Sequence, residues 1–80
     1  MSITSEQVRA ARALIRWEQR DLAGASGVSL PTVKRIETKP GAISAHGTTL
    51  NALQRALEEA GVIFVAENGE GAGVRLRKQG

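Results

Sequence analysis

Apolar residues in the first stretch of the chain return every three or four positions, at Val8, Ala11 and Ile15, while Glu6, Arg9 and Arg16 lie off that line. That period belongs to a helix with one apolar stripe. Thr4-Ser5-Glu6-Gln7 supplies its start as a capping box, in which the Thr4 hydroxyl accepts from a first-turn amide and Gln7 reaches back. The stripe predicts a first helix from Thr4 to about Trp17. A second short helix fits Glu18 to Ala25, with Leu22 and Ala23 inward, and Gly27 ends it because glycine takes the left-handed conformation of a sharp helix stop. Ser29 is a good N-cap, and Pro31 is tolerated in a first turn, so a third helix spans Leu30 to Glu37. Lys39-Pro40-Gly41 stops it. After a polar loop to Gly47, Thr48 or Thr49 caps a fourth helix carrying Leu50, Leu53 and Leu57, with Gly61 as its C-cap.

The period then changes. Val62-Ile63-Phe64-Val65 is a β-branched and aromatic run, Asn68 to Gly73 is glycine-rich, and Val74 to Lys78 alternates apolar with basic, which predicts a β-hairpin. Val62 and Phe64 can lie on the fourth helix, leaving Ile63 and Val65 outward. A two-stranded ribbon is marginal in water, so a homodimer joined through Ile63, Val65, Val74 and Leu76 is expected. The predicted fold is mostly α: four short helices over residues 1–61, then a C-terminal β-hairpin over 62–80 as a dimerisation element of the same domain.

Composition narrows the chemistry. The 80 residues contain no cysteine, which removes disulfides, thiolate nucleophiles and cysteine-ligated metals. No apolar run approaches the roughly 18 residues of a membrane span, and no signal pattern opens the chain, so a cytoplasmic protein with no membrane partner is expected. The net charge of +3 is a modest sign of a polyanionic partner. Its distribution says more: Lys34, Arg35 and Lys39 cluster mid-chain, Arg75, Arg77 and Lys78 lie near the end, and Glu58, Glu59, Glu67 and Glu70 stand apart. His46 has no neighbour at ligand spacing and reads as a solvated loop residue, so no metal and no cofactor are expected. Gly69, Gly71 and Gly73 precede a strand rather than a helix and read as a hairpin turn, not a phosphate cradle. Trp17, between the first two helices, reads as packing. With no usable nucleophile and base, no enzyme is expected.

Gln19-x-x-Leu22-Ala23-x-x-x-Gly27-Val28-Ser29-x-x-x-Val33-x-x-Ile36-Glu37 closely resembles the helix-turn-helix of Cro and phage-repressor proteins, the xenobiotic-response-element family of regulators. Thr49-Leu50, Leu53, Ala56-Leu57-Glu58, Ala60-Gly61-Val62 and Phe64 look like the family's following helix and strand, so the resemblance covers most of residues 5 to 65. It implies a lambda-repressor-like domain binding double-stranded DNA, in a bacterial or phage setting, as a dimeric repressor reading an inverted repeat. Gln19 is then expected to reach a phosphate and brace the third helix. Ser29, Leu30, Pro31, Thr32, Lys34 and Arg35 fall on the recognition positions, Arg35 able to grip guanine and Lys34 better suited to a phosphate. Lys39, and Thr48 and Thr49 with their helix-start amides, are expected to contact the backbone. Arg12 and Glu37 match a buried structural ion pair. The chain departs from the pattern at Arg16, where many members have glycine, and at Glu18, where an acid favours the helix dipole but repels phosphate. A different class of function on the same fold is an antitoxin or antiactivator acting on a protein partner.

Overall fold

The computed structural model describes residues 2–78, so residue 1 and residues 79–80 of the two expected segments lie outside the described residues. Four helices precede a two-stranded antiparallel sheet: α1 (Ser5–Leu14), α2 (Gln19–Ser26), α3 (Leu30–Thr38), α4 (Gly47–Glu59), β1 (Val62–Val65) and β2 (Gly73–Leu76). The chain is thus a small, mostly helical domain with a hairpin near its C-terminus.

α1 starts as its sequence specifies. Thr4 Oγ1 accepts from the Gln7 amide at 3.1 Å, and Gln7 Oε1 accepts from the Thr4 amide at 2.9 Å. It stops about three residues short of Trp17, because Arg16 adopts φ 58 and breaks the helical run. The left-handed turn reverses the chain within a few residues, and α2 follows at Gln19. α2 ends on Gly27 at φ 78, whose amide donates to the Ala23 carbonyl. Ser29 caps α3 by accepting from the Thr32 amide, with Pro31 in the first turn.

Further boundaries differ from the pattern-based reading: α2 runs from Gln19, with Glu18 as its N-cap, to Ser26, and α3 runs one residue further, to Thr38. α4 begins at Gly47 with His46 in the N-cap position, so Thr48 and Thr49 lie inside its first turn rather than capping it. Its C-cap is Ala60, with Gly61 just beyond at φ 109. Gly61 still makes the turn possible, one position past the cap rather than at it.

The core is built from all these elements. Val8 and Ala11 of α1, Leu22 of α2, Val33 and Ile36 of α3, Leu53, Ala56 and Leu57 of α4, and Val62 and Phe64 of β1 are buried together. Ile3 joins them, held by the Thr4 and Ala42 bridge and by the Ser5 amide donating to the Gly41 carbonyl. Trp17, Ala23 and Val28 pack against the cluster from its edge.

The hairpin register pairs Val62 with Leu76, Ile63 with Arg75, Phe64 with Val74 and Val65 with Gly73. Residues directly opposite in an antiparallel pair share a face. Val74 and Leu76 therefore stand on the inner face with Val62 and Phe64, and Val74 packs on the core. Ile63 and Val65 lie on the outer face beside Arg75. The four residues expected as one dimer surface are split between two faces. The second strand is also shorter than expected, since Arg77 and Lys78 follow the ladder.

Candidate nucleic-acid interface

α3 divides its residues by helical period. Val33, Ile36 and Glu37 are buried, whereas Pro31, Lys34, Arg35 and Thr38 are exposed. At 100° per residue those four side chains leave the axis within an arc of about 100°, centred opposite the buried stripe. Leu30 and Thr32, half-buried, form the shoulders. No acid lies in the first turn of α3.

Three of the expected contact residues are engaged locally. Ser29 Oγ accepts from the Thr32 amide at 3.3 Å and donates to Thr32 Oγ1 at 2.9 Å, so both hydroxyls serve the helix start. Gln19 Nε2 donates to Glu37 Oε1 at 3.1 Å, which ties the start of α2 to the end of α3. The second Nε2 hydrogen and the carbonyl of that amide stay available to a ligand.

Glu37 is the hub of the scaffold behind α3. Its side chain is 3% exposed, and Arg12 donates to both carboxylate oxygens, Nε at 2.7 Å and Nη2 at 2.6 Å. Arg12 Nη1 also donates to the Trp17 carbonyl at 2.9 Å, and Arg9 Nη1 donates to the Glu37 carbonyl at 2.7 Å. A buried charge is tolerated where a partner and hydrogen bonds compensate its lost hydration, as here. The network fixes α1, α2 and α3 relative to one another and so sets how far α3 stands out.

Two open depressions flank α3. Arg35, Ser44, Ala45, His46 and Thr49 line one of about 420 Å³, which joins the outer arc of α3 to the start of α4. The first amides of α4 have no intrahelical carbonyl to bond, and its first turn has no acid, so this end of the cleft favours an anion. Thr48 is exposed there and Thr49 is half-buried. Lys39 lies with Arg35, Pro40, Ile43 and Ser44 around an adjoining hollow. On the other side Leu30 and Lys34 meet Glu18, Gln19 and Arg20 at the start of α2. That end is mixed in charge: the Asp21 carboxylate accepts from the Glu18 amide at 2.8 Å, and Glu18 pairs with Arg20 at 3.0 Å.

Thr38, Ser44 and His46 escaped the sequence reading as members of this surface. Thr38 lay beyond the expected end of the third helix. The other two sit in a loop whose path no periodicity reports. No protein-family model matches the chain, and no curated protein is significantly similar to it. Among the described residues no helix is long and apolar enough to cross a membrane, and no group of three or more His, Cys, Asp or Glu could hold a metal.

Proposed function

We propose that the chain is a sequence-specific, double-stranded DNA-binding regulator of transcription, without catalytic activity, in which α2 and α3 act as a helix-turn-helix of the Cro and phage-repressor kind. The observation that carries this reading is the exposed arc of α3, free of acid and holding Lys34 and Arg35, with the anion-favouring start of α4 beside it. A major groove about 12 Å wide admits one helix. With α3 in the groove, Arg35 meets base edges or the phosphates next to the start of α4, Pro31 offers apolar contact to a thymine methyl, and Lys34 meets the opposite strand. Gln19, already oriented by Glu37, is positioned to donate to a phosphate on the α2 side.

Glu18 and Asp21 offset Arg20 and Lys34 on the α2 side, whereas among the described residues no acid lines the hollow on the α4 side, so the backbone grip falls mainly there. The residues expected at a dimer contact lie on two faces of the hairpin, so we propose a single DNA-reading surface. An inverted repeat, with half-sites about 34 Å apart, follows if two subunits pair elsewhere.

Selection of bound duplexes from a random pool, followed by titration of the selected duplex, tests the reading. Arg35→Ala should weaken binding by about 1–3 kcal/mol, whereas Arg55→Ala, on the exposed side of α4 outside this surface, should change it less than about twofold. Equal losses for both variants, or affinity that does not fall as salt rises, would contradict it.

A further inference from the structure

The hairpin has an edge that the DNA-reading surface does not use. Gln7 Nε2 donates to the Val65 carbonyl at 3.2 Å and to the Gly73 carbonyl at 3.0 Å. One nitrogen reaches both oxygens only if they point toward each other between the strands, so Val65 and Gly73 form a hydrogen-bonded pair. The Arg77 amide donates to the Gly61 carbonyl at 2.6 Å, which places 61 and 77 in the same phase. Bonded and non-bonded pairs alternate along an antiparallel ladder. The N–H and C=O groups of Val74 and Leu76 therefore point away from β1, and among the described residues none of them has a backbone partner outside the ladder. An exposed row of such groups is a template for another strand.

The side chains along this edge describe what it would accept. On the outer face Arg75 and Arg77 are exposed, and neither forms an ion pair among the described residues. On the inner face Leu76 is 50% exposed although it stands opposite the buried Val62. A strand laid beside β2 would set alternate side chains against the two arginines and against Leu76. We propose that the open edge of β2 takes up, as a third strand, an extended segment of another protein in which acidic residues alternate with apolar ones.

A second copy of this chain fits that edge badly. In a twofold antiparallel pair of β2 strands, Arg75 stands opposite Arg75 when Val74 pairs with Leu76, and opposite Arg77 when Leu76 pairs with Leu76, and like charges across a ladder are destabilising. Of the two acids in the loop before β2, Glu67 is held by that loop, its carboxylate accepting from the amides of Gly69 and Gly71, and Glu70 pairs with neither arginine among the described residues. The inference does not depend on DNA binding.

The test uses the full chain and two labelled octapeptides, one alternating Glu with Val and one alternating Lys with Val, read by fluorescence anisotropy. The Glu-Val peptide should bind at least tenfold more tightly than the Lys-Val peptide, weaken as salt rises, and slow amide exchange at Val74 and Leu76. The double variant Arg75→Glu, Arg77→Glu, with circular dichroism confirming its fold, should reverse the preference. Equal binding or no binding of the two peptides, or a preference the double variant leaves unchanged, overturns the proposal. So does a wild-type dimer in sedimentation whose Val74 and Leu76 amides are already protected.

Discussion

The Glu37 carboxylate takes three donors in a setting that excludes water, two from Arg12 and one from Gln19. Removing it leaves Arg12, whose side chain is 18% exposed, without its counter-charge, a change that costs about 3–5 kcal/mol where the pair is fully buried. Glu37→Ala should therefore lose about 3 kcal/mol in urea denaturation, and a loss below about 1 kcal/mol would show that the pair contributes little. Arg16 carries the opposite sign. A non-glycine residue in the left-handed region costs about 1–2 kcal/mol, part of which glycine returns as unfolded-chain entropy. Arg16→Gly should raise stability by about 0.5–1 kcal/mol, seen as a thermal midpoint several degrees higher. The exposed Glu6 side chain adds a pH dependence, because the Gly41 amide, and to a lesser degree Arg9, hold its pKa below the ordinary 4.5. A carboxylate whose folded pKa is depressed contributes stability above its unfolded pKa and loses it as pH falls through the folded value. Glu6→Gln should flatten the stability profile below pH 4.5 and leave its shape near neutrality unchanged. At this scale the sequence alone revealed little. Arg12 and Glu37 are 25 positions apart, and only the family resemblance joined them.

At the scale of elements, legibility followed the range of the forces involved. Local signals placed well: the Thr4 and Gln7 capping box, Ser29 before Pro31, and Gly27 at the end of α2 are all read within one turn of chain. Ser29→Ala should cost about 1 kcal/mol in chemical denaturation by uncapping α3, and a neutral result would mean that the Thr32 amide finds another acceptor. The end of α1 misled because Ile15 continues the apolar stripe, although Arg16 beside it has already left the helix. At the hairpin, alternation gave the strands but not the faces. Val74 and Leu76 looked like partners of Ile63 and Val65 until the register set them opposite Phe64 and Val62. Gln7 joins the two strands across more than half the chain, a contact that no short window contains.

For the whole molecule, the helical core and its order of elements were readable because each apolar stripe had one face to bury. The surface around α3 was readable only along α3 itself. Its flanks come from loop residues 42–46 and from the start of α4, which the core brings alongside Arg35. We propose this surface, held out by the Arg12, Glu37 and Gln19 network, as the one that meets duplex DNA. Amide chemical-shift mapping during titration with the selected duplex tests it most directly. Shifts should concentrate at residues 29–39 and 46–49, with Asn51 to Glu59 and the hairpin little affected. Shifts confined to the hairpin, or spread evenly over the surface, would contradict it.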